Sequence, residues 1–239
     1  MGRYVKLLRM KELFRIAAYK IDYLFLKWFG KRIIKRKGIN KVHFSIDDVF
    51  DMVTNEHSFI VDDLRRLNTE YGLISHLFLF NQCEDRVLNQ FSFSLGSLEC
   101  VDYGAHQAEY IDETYEKIGV AQISEYVRLH EFKATSEQLN KLKKYGVVGV
   151  LTADSRRRSS YGLCDEKSSR VSQGNMVEVD DVMYLKTDIR LEKIIFYQLI
   201  KKPKTDILVF FTHESKYGLV SERLNLLCEL LYKAGVKFI

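Results

Sequence analysis

Residues 42–49 read VHFSIDDV, a short apolar run that leads directly into two adjacent carboxylates, Asp47 and Asp48. A run of this kind predicts a β-strand. Two acidic residues could equally form an exposed turn, but the apolar run before them favours the end of a strand. Other runs in the chain end in the same way.

Short apolar runs that end in polar residues recur through residues 41–239. They are GLISHLFLF, ending in Asn81–Gln82; CVDYGA, ending in His106; YVRL, ending in His130; GVVGVLTA, ending in Asp154; VMYLKT, ending in Asp188 with Arg190 and Glu192 beyond it; and DILVFFT, ending in His213 and Glu214. The terminal VKFI could supply an eighth strand. Helix-like stretches separate several runs. Two of them have a cap and a glycine stop: TSEQLNKLKKYG, capped by Thr135 or Ser136, and SERLNLLCELLYKAG, capped by Ser221.

Strands that alternate with helices predict an α/β fold with a parallel sheet, and about seven such units suit a (β/α) barrel. The active site of such a barrel collects at the carboxyl ends of its strands. Any strand must end in something polar. Three of the six histidines at strand ends, together with the Asp47–Asp48 pair, nevertheless predict a shared site. The other three histidines, His43, His57 and His76, are predicted to be structural or exposed.

The composition is that of a globular protein, with 46% hydrophobic residues, 29% charged residues and a single proline, Pro203, in 239 residues. It excludes a disordered tail, a collagen-like chain and a Pro-rich linker. No apolar run reaches the ~20 residues of a membrane span, and no secretory signal pattern is present. We therefore predict a cytoplasmic location. The four cysteines have no C-x-x-C spacing and are predicted to be reduced thiols: Cys83, Cys100, Cys164 and Cys228.

The net charge of +5 is the difference between two oppositely charged parts. Residues 1–41 hold 13 Lys and Arg against Glu12 and Asp22, a balance of +11. The remaining residues hold 24 Lys and Arg against 30 Asp and Glu, a balance of −6. The charge therefore gives little support to nucleic-acid binding. We predict a basic amphipathic helix and linker over residues 1–40 and a barrel over residues 41–239.

Residues 2–29 contain no proline and no internal glycine, which predicts a helix that ends near Gly30. Apolar residues form one stripe along it, at alternating steps of three and four: Leu7, Met10, Phe14, Ala17, Ile21, Leu24 and Trp28. This helix could pack on the body or on a second subunit, with a solvated basic linker after it. It could instead make a peripheral contact with the inner face of the membrane, with aromatic residues at headgroup depth and Lys and Arg against anionic lipid.

The residues at the strand ends can support metal-assisted hydrolysis of an amide or ester. Adjacent residues of an extended segment point to opposite sides, so one of Asp47 and Asp48 can bind a metal while the other faces a substrate water. His106 and His130 offer neutral nitrogen ligands for Zn²⁺, Co²⁺ or Ni²⁺. A metal with open positions lowers the pKa of bound water, a second Asp can serve as base, and a histidine from another strand can protonate the leaving group.

The motif FSIDD, residues 44–48, resembles the T/S-F-D-D motif of the polysaccharide deacetylase (carbohydrate esterase) superfamily. DYGAH resembles the strand with the family's metal histidine, VRLHEF its arginine motif and LVFFTHE its last motif. The resemblance covers roughly residues 41–239. It is closer still to a bacterial branch found with surface-polysaccharide biosynthesis, which carries S-I-D-D-V, R-L-H-x-F, A-D-x-x-R, D-I/L-R-x-E and T-H-E. The family's H-x-x-x-H metal motif has Tyr110 here in place of its second histidine.

The resemblance implies a distorted (β/α) barrel that removes acetyl groups from N- or O-acetylated sugars with a divalent metal, Zn²⁺ in first place and Co²⁺ or Ni²⁺ as alternatives. It implies Asp47 as the general base, Arg128 as the residue that orients it, His213 as the catalytic acid, and Asp48 and His106 as metal ligands. Glu109 or His130 could complete the metal site, and we predict His130 because it closes a neighbouring strand. We assign four more residues to substrate binding or support of the site: Asp154, Asp188, Arg190 and Glu214.

Two other functions use the same residues. A metal-independent glycosidase needs two carboxylates across the scissile bond, and the candidates are Asp47, Asp48, Glu192 and Glu214. A non-catalytic sugar-binding or scaffold barrel of a polysaccharide assembly complex, held at the membrane by the N-terminal helix, needs no chemistry at all.

Overall fold

The computed structural model of the chain describes residues 2–49, 58–80, 101–118, 122–153, 161–173 and 176–239. The strands in these ranges are β1 (Lys41–Val49), β2 (Ser75–Leu79), β3 (Val101–Ala105), β4 (Tyr126–Val127), β5 (Gly149–Leu151), β6 (Met176–Val179), β7 (Val182–Leu185), β8 (Ile189–Arg190), β9 (Ile207–His213) and β10 (Lys237–Phe238). The helices are α1 (Gly2–Lys37), α2 (Ser58–Tyr71), α3 (Ile111–Ile118), α4 (Ser136–Lys144), α5 (Asp165–Gln173), α6 (Ile195–Lys201) and α7 (Tyr217–Ala234).

The strands form two sheets, and the predicted α/β class with parallel strands is confirmed. The larger sheet has the order β3-β2-β1-β9-β8, with β10 paired to the start of β1, and all its ladders are parallel. The smaller sheet has the order β4-β5-β7-β6, in which only the β6–β7 hairpin is antiparallel. An isolated parallel bridge joins Tyr103 of β3 to Ile123, three residues before β4 begins.

These two sheets differ from a closed barrel of about seven strands. In the described ranges no ladder joins β7 to β8. Strand β8 is two residues long, and its ladder there is with β9. Strand β6 is an addition to the predicted set, folded back on β7 by Asp180 and Asp181, which have φ angles of 51° and 59°. Two central residues of positive φ make the tight turn that suits a β-hairpin. The closed barrel stays a prediction.

Strand β1 lies at the centre of the larger sheet, and its alternation separates an apolar face from a polar one. Val42, Phe44 and Ile46 are buried in the larger core cluster, which includes residues of α1, α2 and α7. Successive side chains of a strand point to opposite faces, so the residues between them face the other way. Those residues, among them Ser45 and Asp47, are also buried, and they begin the polar network of the site.

Helix α1 continues to Lys37, so the prediction that it ends near Gly30 is wrong. A Cβ atom on Gly30 would lie 2.7 Å from Leu230 Cδ1, which shows that this glycine allows α1 to approach α7 closely. The glycine that follows the helix is Gly38, with a φ of +74°. The predicted basic linker is therefore mostly helical.

The helix packs on the body, but through a different face from the predicted stripe. Leu26 and Ile34 are fully buried in the larger core cluster. In contrast, Phe14 and Trp28 of the predicted stripe are 70% and 69% exposed. The division into residues 1–40 and 41–239 stays a prediction, although both parts contribute to one core. Within the described ranges, no helix combines the length and apolar content that crossing a bilayer requires.

The two predicted capping sites have different outcomes. Thr135 caps α4, because its hydroxyl accepts from the backbone N–H of Gln138 while the Gln138 side chain accepts from the Thr135 backbone N–H. Ser221 is not a cap, since α7 begins four residues earlier, at Tyr217. The end of α7 at Gly235, which has a φ of +80°, is as predicted.

Candidate functional site

The structure brings seven of the predicted site residues to the carboxyl ends of the strands. β1 and β9 are parallel and in register, so that Asp47 lies opposite His213 in the ladder. His106 directly follows β3, and Arg128 and His130 follow β4. The carboxyl ends of parallel strands meet at one edge, which is where α/β enzymes collect their sites. The seven residues are Asp47, Asp48, His106, Arg128, His130, Arg190 and His213.

Asp48 lies at the centre of this cluster. Its Oδ1 is 2.9 Å from His106 Nε2 and 3.8 Å from His130 Nδ1, and its Oδ2 is 4.0 Å from His213 Nε2. The register of β1 and β2 shifts between Ile46 and Val49, and Asp48 has a φ of 54°. A bulge of this kind re-aims a side chain. It therefore breaks the strict alternation predicted for the Asp47–Asp48 pair.

The hydrogen bond of His106 fixes which of its nitrogens is free. Its Nδ1 contacts the backbone oxygen of Arg128, which can only accept, so Nδ1 carries the proton. In the neutral ring Nε2 then has a lone pair, and it faces the Asp48 carboxylate at 2.9 Å. Two acceptors at this distance need a cation between them, either a proton or a metal. This donor set fits a divalent ion.

His130 is the third member of a group with the ligand chemistry of zinc. One atom each of Asp48, His106 and His130 lies within 4.8 Å of the others. The predicted alternative, Glu109, is not in this group, and the Tyr110 side chain is partly exposed. One carboxylate with two imidazoles is a common set for catalytic Zn²⁺, and three protein ligands leave a position open.

The electrostatics of Asp48 favour the charged carboxylate that a metal requires. Partial burial raises the pKa of Asp48, but the hydrogen-bond contact with His106 and the proximity of the His106, His213 and His130 rings outweigh it. The net result is a pKa below the usual value.

Phe80 contacts the imidazoles of both His106 and His130, and it was not among the predicted site residues. Its ring meets those of His106 and His130 edge-on, at centroid distances of 4.8 and 5.0 Å. Phe80 is 7% exposed and ends the apolar run before residue 81. An aromatic ring in this place restricts the rotation of both histidines and excludes water from one side of the site.

Asp47 and Arg128 form a buried ion pair beside the cluster. Arg128 Nη1 donates to both oxygens of Asp47, at 2.9 and 2.6 Å, and both side chains are about 2–3% exposed. Arg128 Nη2 donates to Thr187 Oγ1 at 2.8 Å, and the guanidinium lies over the Phe211 ring at 4.0 Å. Ser45 Oγ is a further donor to Asp47 at 3.2 Å. The contacts from Arg128 and Ser45 hold the Asp47 carboxylate in a single orientation, and Thr187 and Phe211 hold the Arg128 guanidinium.

His213 is held by Glu192, which was predicted only as a carboxylate of the glycosidase alternative and not as a partner of His213. His213 Nδ1 is 2.7 Å from Glu192 Oε1, which also accepts from the His213 backbone N–H at 3.1 Å. Burial raises the pKa of Glu192, but the hydrogen bonds and charge of His213 outweigh this effect. The net result is a pKa lowered to about 2. Arg190 adds a contact of 3.3 Å from its Nε to Glu192 Oε2. Glu192 therefore stays ionised and directs His213 Nε2 towards Asp48.

Helix α1 holds the segment that carries Glu192. Tyr19 Oη donates to the backbone oxygen of Glu192 at 2.6 Å. The Asp22 carboxylate accepts from the backbone N–H groups of Ile195 and Phe196, at 3.0 and 2.8 Å. Arg223 of α7 pairs with Asp22 at 3.4 Å, so the charge of this buried carboxylate is balanced.

Two predicted substrate-binding residues, Asp188 and Glu214, are not in the open part of the site. Asp188 forms a buried ion pair with Lys202 and accepts from the Val209 backbone N–H at 2.9 Å, which fits the support role alone. Glu214 is 4% exposed. Asp154 lies outside the described residues. Arg190, with a side chain 31% exposed, is the predicted substrate-binding residue that reaches the cluster.

Comparison of this chain with known proteins found similarity to a solved structure. No family model matches the sequence, and no curated protein matches it. A crystal structure from Bordetella bronchiseptica, described as a putative polysaccharide deacetylase involved in O-antigen biosynthesis, is similar to this chain. The two share 10% sequence identity with a TM-score of 0.48, over 84% of this chain and 92% of the other.

Proposed function

We propose that this protein is a metal-dependent hydrolase that removes acetyl groups from an acetylated sugar or polysaccharide precursor in surface-polysaccharide biosynthesis. The observation that carries the proposal is the position of the Asp48, His106 and His130 ligand atoms, within 4.8 Å of one another, beside two further charged pairs. One pair is Asp47 with Arg128 and the other is His213 with Glu192. The motif resemblance supplies the class of substrate.

The metal ligands in this proposal are Asp48, His106 and His130, with Zn²⁺ in first place and Co²⁺ or Ni²⁺ as alternatives. A metal bound there would act as a Lewis acid on the acetyl carbonyl and lower the pKa of a bound water. The His106 hydrogen bond to Arg128 O and the edges of the Phe80 ring would keep the imidazoles aimed at it.

The proton transfers are assigned to the two charged pairs. The Asp47 carboxylate, oriented by Arg128, accepts a proton as water attacks the acetyl carbon. His213 Nε2, which is 4.0 Å from Asp48 Oδ2, donates a proton to the leaving nitrogen or oxygen of the sugar. Glu192 is the positioning residue that holds the opposite nitrogen of the His213 ring. The products are acetate and the deacetylated sugar.

Metal analysis of the purified chain is the first test. We expect about one equivalent of Zn²⁺, Co²⁺ or Ni²⁺, and its loss in Asp48→Asn and His106→Ala. Asp62→Asn, which changes a carboxylate that is 78% exposed on α2, is the matched control and should keep the metal. A chain that takes up no metal after reconstitution, with sugar binding unaltered in the ligand variants, would refute the metal-dependent reaction.

Acetate release from a panel of N- and O-acetylated sugars is the second test. We expect His213→Ala to lower the turnover about 10²- to 10⁴-fold, the usual contribution of a general acid, while the metal is retained. Sugar binding without acetate release in the metal-loaded chain would favour the non-catalytic scaffold. Cleavage of a glycosidic bond would favour the glycosidase. That alternative has the weaker support, since Glu192 is engaged with His213 and Glu214 is buried.

We also propose a cytoplasmic location with peripheral contact at the inner face of the membrane. The free thiol Cys164 is exposed, which suits a reducing compartment. The balance of +11 in residues 1–41 suits an anionic surface, and nucleic acid is not proposed as a partner.

A further inference from the structure

Helix α1 has two apolar faces, and among the described residues the body covers only one of them. Four large side chains form what we call the outer stripe: Phe14, Ile21, Leu24 and Trp28, which are 70%, 54%, 45% and 69% exposed. Leu24 and Trp28 each stand two residues from the buried Leu26, and two residues turn an α-helix by about 200°. The outer stripe therefore faces away from the core.

Helix α6 extends this apolar surface. The rings of Phe25 and Phe29 on α1 lie 5.1 and 6.3 Å from that of Phe196 on α6. Beside them is a groove of about 670 Å³ between the two helices, with Ile200 on one side and Arg32 and Arg36 on the other. Phe25, Phe29 and Ile200 are each 41–48% exposed. The groove thus combines an apolar floor with two guanidinium groups.

The charge of this surface has one sign. From residue 13 to residue 37 there are eight Lys and Arg, and the one acid, Asp22, is 2% exposed and paired with Arg223. Helix α6 adds Lys201 and no acid. No exposed carboxylate on these two stretches offsets the cations.

The mixture of large apolar side chains and an excess of cations over acids favours one type of partner. A second copy of the chain, docked through the same face, would set cation against cation. A purely solvated helix would not need Trp28 and Leu24 on its outer side. An anionic bilayer suits both components, because its phosphates attract Lys and Arg while its acyl boundary takes up the apolar groups.

We propose that α1 and α6 together form a surface that docks on an anionic lipid membrane. The outer stripe lies at the boundary of headgroups and acyl chains, and the α1–α6 groove takes a lipid whose phosphate contacts Arg32 and Arg36. The helix lies along the membrane and does not cross it. This proposal rests on the peripheral membrane contact proposed above and names the surface that makes it, and none of its residues belongs to the metal or proton-transfer groups.

The intrinsic fluorescence of Trp28 tests the proposal directly, since it is the single tryptophan of the chain. The full chain is titrated with vesicles of phosphatidylglycerol and phosphatidylethanolamine, and in parallel with vesicles of phosphatidylcholine. We expect a shift of Trp28 emission to shorter wavelength with the anionic vesicles, and quenching by brominated acyl chains. Neither change should occur with phosphatidylcholine alone.

Paired variants separate the cationic from the apolar contribution. Arg32→Gln with Arg36→Gln should weaken vesicle partitioning about 30-fold, because each cation near an anionic surface contributes about 1 kcal/mol and 1.4 kcal/mol is tenfold. The control is Lys143→Gln with Lys144→Gln, two exposed cations on α4, which should leave partitioning within about twofold. Leu24→Ser should weaken partitioning without changing the salt dependence.

Several outcomes would overturn this proposal. Unchanged Trp28 emission with anionic vesicles is one. A blue shift that grows with protein concentration in the absence of lipid would show that a second copy covers the stripe, and one produced by RNA would show a nucleic-acid partner. The readout does not involve turnover, so a chain without metal or acetate release can still dock. Failure here and failure of the deacetylase proposal are therefore distinguishable.

Discussion

Two buried histidines on the larger sheet should make the stability of this protein sensitive to acid. His43 on β1 and His76 on β2 are 1% and 3% exposed, and their rings stack at a centroid distance of 3.9 Å. His76 contacts Ser124 Oγ and the Ile239 backbone oxygen, each at 2.9 Å. His43 Nε2 has no hydrogen-bond partner among the described residues. A proton added to either ring would therefore place a charge in a buried stack.

The size of the effect follows from the pKa of His76. Burial lowers this pKa to about 4, and burial together with the charge of His76 lowers that of His43 well below 6.5. In the unfolded chain both rings titrate near 6.5. Between pH 6.5 and 4 the unfolded chain therefore binds protons that the folded chain does not. The free energy of unfolding is highest above pH 6.5 and falls as the pH drops from 6.5 to 4. His76 alone accounts for about 3 kcal/mol of this loss, at 1.36 kcal/mol per pH unit.

Chemical denaturation followed by circular dichroism at several pH values between 7 and 4.5 measures this slope. His43→Phe keeps a stacked ring at a position whose Nε2 has no partner, and it should reduce the slope by up to about 1.4 kcal/mol per pH unit. The difference between the two proteins removes the contribution of other titrating groups. Equal slopes for the wild type and His43→Phe would refute the reasoning.

Three further substitutions test the site and its support. Glu192→Gln should lower kcat for acetate release about 10- to 100-fold with a nearly constant KM, because it removes the charged partner that directs His213; a rise in KM alone would contradict this role. Gly30→Leu should lower the free energy of unfolding by about 1–3 kcal/mol in urea denaturation, because a Cβ there would lie 2.7 Å from Leu230 Cδ1. Arg128→Met should cost about 3–5 kcal/mol in the same assay by leaving a buried carboxylate unpaired, and an unchanged midpoint would argue against the ion pair.

The strand ends of the larger sheet could be predicted because their signals are local. A short apolar run that ends in His106 or His213 marks both a strand and its carboxyl end, and parallel pairing then brings these ends together. Thr135 and Gly235 are likewise recognisable from their immediate neighbours.

The parts that could not be predicted depend on contacts between distant residues. Gly30 has the appearance of a helix stop until Leu230, 200 positions later, is packed against it. The exposed face of α1 is as apolar as the buried one, so periodicity alone could not choose between them. Glu192 becomes a partner of His213 only after β8 and β9 have paired. The Met176–Val179 strand was missed because its exposed Glu178 and Met176 hide the strand pattern.

The contacts of Tyr19 and Asp22 with the segment from Glu192 to Phe196 make α1 a structural part of the candidate site and not a detachable anchor. A shortened protein that begins at Lys41 would keep the proposed metal ligands. It would lose the hydrogen bonds that hold the Glu192 segment, and with them the support of the proposed proton donor, His213. It would also lose Leu26 and Ile34 from the larger core cluster, so we expect its free energy of unfolding to be lower than that of the full chain.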